Sequence, residues 1–165
     1  MGNYLVKLTS IDIGENNNKA VTEMLYSIGD FERISDHAVN IAEVALYNYE
    51  NEITLSSEAM KEYGIIQKAV EEILEMAVET YTERDVRKAL SVEPLEQVID
   101  NIHYKLKDKH IERLCDGKCS VQAGISFVEL LTNFERISDH CSNIALYVIQ
   151  KQLWKRYRIK FPCAS

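Results

Sequence analysis

One seven-residue stretch occurs twice, and that repetition constrains the fold more than any other feature. Phe31-Glu32-Arg33-Ile34-Ser35-Asp36-His37 returns letter for letter as Phe134-Glu135-Arg136-Ile137-Ser138-Asp139-His140, an offset of 103 residues. Each copy is followed by two residues and then Asn-Ile-Ala, at Asn40-Ile41-Ala42 and Asn143-Ile144-Ala145. An identity of this length implies two related units in one chain. Within each copy a Glu and an Asp stand four apart. On a helix that spacing places both carboxylates on one face, separated by about 6 Å of rise. Like charges so placed repel by a few tenths of a kcal/mol. Basic neighbours, here Arg33 and Arg136, or a bound cation would offset the repulsion.

The helix reading is supported along the whole chain. The 165 residues include only two prolines and six glycines, so long helices are unobstructed. Residues 4–9 resemble the last turns of a helix, and a polar loop over 10–18 ends in Asn16-Asn17-Asn18, good N-cap material. The first long helix is expected over 18–49, with Met24, Ile28, Phe31, Ala38, Ile41 and Ala45 as its apolar face. Ser56-Ser57 caps a second, over 57–88, whose seam of Ala59, Tyr63, Ile66, Val70, Ile73 and Ala77 steps by four and three. A break is expected at Ser91-Val92-Glu93-Pro94, with Pro94 in the first turn of the third helix. That helix runs to Leu114, on Leu95, Ile99, Ile102 and Leu106, and Asp116-Gly117 stops it. Ser120 opens the last, over 120–157, with Phe127, Leu131, Phe134, Ile137, Cys141, Ala145 and Val148 inward. Short loops between long amphipathic helices imply antiparallel neighbours. The expected fold is all-α: residues 55–157 form a complete three-helix repeat, residues 1–50 a truncated first repeat consisting mainly of its last helix, and 158–165 a tail. Ungapped alignment of the two units places the counterparts of Glu96 and Asp100 before residue 1, as if the chain were cut from a longer protein.

A third carboxylate pair lies outside the repeated stretch. Glu96 and Asp100 share the Glu-x-x-x-Asp spacing, and His103 extends their stripe. On the third and last helices these stripes lie about 100° around from the seam centre, flanking the core. In a hairpin turning near residue 117, Asp100 is level with Glu135 and Glu96 with Asp139. Four carboxylates then converge at one height, with His103 and His140 nearby. Oxygen-rich ligation with some imidazole suits iron, manganese, zinc or magnesium. The plainer alternative is a set of solvated surface charges neutralised by arginine.

The remaining features narrow the function by exclusion. A net charge of −7 argues against nucleic acid as the main partner. Four cysteines, at 115, 119, 141 and 163, are too few for a secreted disulfide framework, which favours a reducing cytoplasm. Cys115 and Cys119 straddle a turn, and Cys141 falls on the seam. No leader precedes the fold and no run is long and apolar enough to span a membrane. Lys151, Lys155, Arg156, Arg158 and Lys160 interleave with Trp154, Tyr157 and Phe161. Such a tail complements a helix C-terminus or rests on an anionic membrane surface. No nucleophile elbow, phosphate-cradling loop or zinc-protease motif occurs.

The doubled Glu-Arg-Ile-Ser-Asp-His and Asn-Ile-Ala resemble the PhoU family of phosphate-regulatory proteins. Lys109-His110-Ile111-Glu112-Arg113-Leu114, Gly117 and Leu130-Leu131-Thr132-Asn133-Phe134-Glu135-Arg136 are similar to the PhoU-like cytoplasmic domain at the C-terminus of bacterial sodium/phosphate cotransporters. That resemblance implies paired three-helix bundles with multinuclear iron or zinc clusters on their surface. Carried over to this sequence, the ligands are Glu32, Asp36, Glu96, Asp100, Glu135 and Asp139. It also implies a non-enzymatic regulator of phosphate transport, at the inner face of the cell membrane and in contact with a transporter membrane domain. The face left open in the truncated repeat leads us to expect a homo-oligomer, or swapped packing of the helix at 18–49. Two other readings remain: a di-metal carboxylate enzyme of the ferritin-like sort, and a metal-free helical adaptor.

Overall fold

The computed structural model describes Lys7 and residues 15–157. The rest of the expected helix end at 4–9, the tail at 158–165 with Cys163, and the side chains of Trp154, Lys155, Arg156 and Tyr157 lie outside the described residues. Residues 15–157 form four helices and no strand, α1 Glu15–Glu50, α2 Ser57–Glu83, α3 Val86–Cys115 and α4 Val121–Tyr157, and Lys7 is helical as well. No described helix is long and apolar enough to cross a membrane.

Local signals explain most boundaries. Ser56 caps α2 by accepting from the Ala59 amide, and Ser120 accepts from that of Ala123 at the start of α4. Gly117, at φ 67°, follows α3 in the left-handed conformation that favours glycine. Gly124 serves close packing: a Cβ there would stand 2.8 Å from His110 Nε2.

Two boundaries differ from expectation. Asn16, Asn17 and Asn18 lie within the first turn of α1, which begins at Glu15, instead of preceding it. The α2–α3 break falls at Arg84-Asp85, well before Pro94. Arg84 takes the left-handed conformation, and Asp85 caps α3 by accepting from the Arg87 and Lys88 amides. Lys88 then bonds Glu79 and Glu83 across the turn, both at 2.9 Å. Pro94 sits inside α3 because Ala89 and Val92, just before it, are core residues. Its missing N–H deprives the carbonyl of Leu90, and both residues are exposed, so water can replace the lost bond.

Helices α2, α3 and α4 form a three-helix bundle around Ile66, Val70, Ile73, Ile99, Phe127, Leu131 and Cys141. A buried ion pair, Glu62 to Arg113 at 2.8 Å, ties α2 to α3. The backbone of α1 runs along α4 alone. Its apolar face also differs from expectation. Val21, Ile34 and Val44 are buried, with Phe31 and Ile41 partly so, while Met24, Ala38 and Ala45 remain exposed. The expected seam is thus split: Ile28, Phe31 and Ile41 are half-buried, and Met24, Ala38 and Ala45 face away from the described helices.

Polar locks fasten α1 to α4, and they obey the repeat. His37 Nδ1 lies 2.8 Å from Asn133 Oδ1, and His140 Nδ1 lies 2.8 Å from Asp30 Oδ1. Asn40 donates to the same Asn133 oxygen, and Asn143 to the same Asp30 oxygen. Asp30 and Asn133 are themselves 103 residues apart. Exchanging the two helices by an approximate two-fold rotation thus exchanges the two locks. Ile34 and Ile137, midway between them in register, are both buried, and the His37 and His140 rings lie 5.8 Å apart. At one end Glu23 holds Arg84 at 2.6 Å and Lys151 at 2.9 Å. At the other, Ser126 donates to Asn48 Oδ1 at 2.6 Å.

Candidate metal centre

The expected carboxylate convergence forms between α3 and α4. Glu96, Asp100 and Asp139 each offer an oxygen, and the three lie within 4.8 Å of one another. All three side chains are half-buried. Helical spacing brings Glu96 and Asp100 to one face of α3. The hairpin turn at Gly117 then sets Asp139 of α4 against them. Glu135 borders this group: its Oε2 lies 3.4 Å from Arg136 Nε, while Asp139 Oδ2 lies 3.3 Å from Arg136 Nη1. A single arginine therefore serves two carboxylates from the open side.

Electrostatics register the crowding. Burial pushes the Glu96 carboxyl up to about 7, reinforced by Asp100, Glu93, Asp139 and Glu135. Glu135 is raised as well, by burial first and Asp139 next. Asp100 Oδ1 is buried without a hydrogen-bond partner. His103, one turn along α3, is buried with neither ring nitrogen partnered, and burial lowers its pKa. An orphaned carboxylate oxygen and an orphaned imidazole beside crowded acids leave electrostatic demand unmet by protein groups. The donor set fits a cation held by carboxylate oxygens, with His103 as the adjacent nitrogen donor.

Other expected members lie elsewhere. His140 is turned to α1 and committed to Asp30, so its ring serves the helix–helix lock instead of joining the carboxylate stripe. Glu32 and Asp36 are exposed on α1, and no carboxylate stripe from another described helix meets them. The groups that bracket the site were not foreseen. Ser142 donates to Glu93 Oε2 at 2.6 Å, joining α4 to α3 one turn beyond Asp139 and one turn before Glu96. The Asp30 and Asn133 locks were also missed, although their equal offset from the repeated stretch was visible.

An internally repeated, all-α bundle with acidic stripes on its flank is the class these observations define. Comparison with known proteins gives the family. The profile described as the PhoU domain matches residues 65–148, and the chain belongs to the PhoU family. It is 28% identical over 129 residues to the phosphate-specific transport system accessory protein PhoU homolog 1 of Thermotoga maritima, covering 78% of this chain and 55% of that protein. It is 26% identical over 124 residues to the PhoU homolog of Streptococcus pneumoniae, covering 75% and 56%. The chain thus spans about half the length of these curated relatives. The crystal structure of PhoU from Pseudomonas aeruginosa superposes with a TM-score of 0.83 at 21% identity, covering 90% of this chain and 70% of that one. That of the S. pneumoniae phosphate transport system regulatory protein PhoU gives 0.78 at 21%, covering 97% and 73%. At that identity the likeness establishes a shared fold.

Proposed function

We propose that this chain is a PhoU-like regulatory domain of phosphate transport that binds metal through its Glu-x-x-x-Asp stripes. It acts without catalysis, at the cytoplasmic face of the membrane, through contact with a transporter membrane domain, as a cytoplasmic part of a sodium/phosphate cotransporter. The observation that carries the metal reading is the convergence of Glu96, Asp100 and Asp139 beside the unpartnered Asp100 oxygen. The names of the relatives, accessory proteins of phosphate-specific transport systems, support the regulatory reading.

Glu96, Asp100 and Asp139 would hold the ion, with Glu135 and His103 at its border. A bound iron or zinc ion, or a multinuclear cluster, would supply the positive charge that turns repulsion between α3 and α4 into attraction. The chain's own contribution is to fix both stripes at one level through the Gly117 turn and the Glu93–Ser142 bond. A ferritin-like di-metal enzyme would carry its carboxylates inside the bundle core. Here they sit on the flank and border solvent, which favours a structural or signalling ion.

The test is the melting temperature with and without iron or zinc, together with metal content per chain. The parent should gain stability with metal, by about 2.7 kcal/mol at a hundredfold excess over Kd. Asp100→Ala and Asp139→Ala should each abolish the gain, and Asp36→Ala should preserve most of it. A response lost with Asp36→Ala and kept with Asp139→Ala would place the site on α1 instead. The regulatory half is tested in cells: removing the chain should release phosphate uptake from control in phosphate-replete medium, and the parent should restore it.

A further inference from the structure

The two histidine locks leave one nitrogen on each ring without a part in holding α1 to α4. Asn133 donates its Nδ2 to the Glu129 carbonyl at 2.9 Å, which turns its Oδ1 toward His37. An amide oxygen only accepts, so His37 Nδ1 carries the proton and Nε2 carries the lone pair of the neutral ring. Asp30 does the same for His140: its Oδ1 lies 2.8 Å from Nδ1 and also accepts from Asn143 Nδ2 at 3.3 Å. Neither Nε2 has a hydrogen-bond partner among the described residues. In contrast to the ring nitrogens of His103 and His110, neither is sealed from solvent.

These two nitrogens face each other. Asn133 and His140 stand two turns apart on α4, about 10.5 Å along its axis. The His37 ring lies between them, bonded to Asn133 and 5.8 Å from the His140 ring, centroid to centroid. Its Nδ1 edge therefore points away from His140 and its Nε2 edge toward it. The approximate two-fold sets the His140 ring between Asp30 and His37 in the same way. We propose that His37 and His140 form a second metal site, a two-imidazole clamp that holds a late divalent transition ion such as copper(II) and pins α1 to α4. An ion between facing nitrogens, with bonds of about 2.0 Å, needs them about 4 Å apart. Rings at 5.8 Å reach that separation by a small tilt.

The donor set separates this clamp from the carboxylate cluster. Two imidazole nitrogens opposite each other, with water in the remaining positions, give the tetragonal N,O geometry of copper(II) or nickel(II). Glu96, Asp100 and Asp139 offer oxygen alone. Each clamp histidine is already oriented through its other nitrogen, by the Asp30 carboxylate at His140 and by the Asn133 amide at His37. Such a partner fixes the tautomer and the ring direction and raises the basicity of the ligating nitrogen. It also removes part of the ordering cost of binding. Asp30 adds negative charge behind the ion. Buried Ile34 and Ile137 lie midway between the two locks in register and hold the helices at a fixed spacing there.

The test is titration of the full, metal-free chain with copper(II), read by electron paramagnetic resonance, in which nitrogen couplings count the imidazoles on the ion. The parent should bind one copper with two imidazoles. Asp100→Ala, which removes an oxygen of the carboxylate cluster, should bind it with the same affinity and the same two imidazoles, so the clamp stands or falls apart from that cluster. His37→Gln and His140→Gln should each weaken binding by about tenfold or more and leave one imidazole, with the parent's circular dichroism retained. Asn133→Ala keeps both ligands and should weaken binding by about 10–100-fold, as expected for a positioning residue. A parent showing fewer than two imidazoles overturns the proposal whatever the variants do. A two-imidazole signal lost with His103→Gln and kept with His37→Gln would put the copper beside Asp100 and overturn it as well.

Discussion

The two copies of Phe-Glu-Arg-Ile-Ser-Asp-His have the same letters and different surroundings. On α4 the stretch is enclosed: Phe134 meets Tyr63 of α2, Ile137 and Ser138 are buried, and Asp139 faces Glu96 and Asp100. On α1, among the described residues, it is covered on one side only. Phe31 reaches Tyr81 at the end of α2, Ile34 packs toward α4, and Glu32 and Asp36 face solvent. A motif of this kind sets potential ligands on a helix face. Whether they form a site depends on a second helix arriving at the same level.

The largest expected effect contrasts the open and covered seams. Phe127→Ala should cost about 3–5 kcal/mol, because the ring is fully buried among three helices. Its counterpart Met24→Ala should cost under about 1 kcal/mol, being already exposed. Urea unfolding of the two variants measures the difference, and equal costs would mean that α1 is covered in solution.

Next come the positions where the copies agree. Ile34 and Ile137 are both buried near the approximate two-fold axis. Ile34→Ala and Ile137→Ala should each cost about 2–5 kcal/mol, far closer to each other than the first pair. A cheap Ile34→Ala would show that α1 leaves α4 without disturbing the bundle.

A smaller contrast separates the two locks. The His140–Asp30 bond ends on a carboxylate and the His37–Asn133 bond on an amide. Double-mutant cycles should give about 1.5–3 kcal/mol of coupling for the first and about 0.5–1.5 for the second. Asp30→Asn, which copies the Asn133 lock, should bring the two together.

The smallest effect is a pH dependence confined to the complete stripe. Glu96 is raised to about 7 from an ordinary 4.5, so the folded chain holds that proton more tightly than the unfolded chain does. The stabilisation this gives is full below about 4.5 and is lost as pH rises through about 7. In metal-free protein, the melting temperature of the parent relative to Glu96→Gln should therefore fall across that window. Asp139→Asn should shrink the trend, and Asp36→Asn should leave it unchanged. Metal affinity should run the opposite way, rising with pH as the carboxyls lose their protons.

Four helices, the caps at Ser56 and Ser120, the stop at Gly117 and the level of Glu96 with Asp139 were all legible in the sequence. Each depends on spacing within a helix or across one short turn, where geometry is nearly fixed. The break at Arg84-Asp85 was not legible, because Pro94 is the stronger local signal, and only the burial of Ala89 and Val92 overrides it. The buried side of α1 was not legible either. Periodicity marks an apolar stripe without saying which neighbour is present to cover it, and here α4 takes the adjacent side through Asp30, Ile34 and His37. The fate of the histidines followed from that rotation: His140 fell to Asp30, while His103 stayed buried without a partner beside the carboxylates. Local chemistry sets what each helix can offer. Packing across more than a hundred residues of chain decided which offers were taken up, because that depends on the rotation and level of helices that no single stretch specifies.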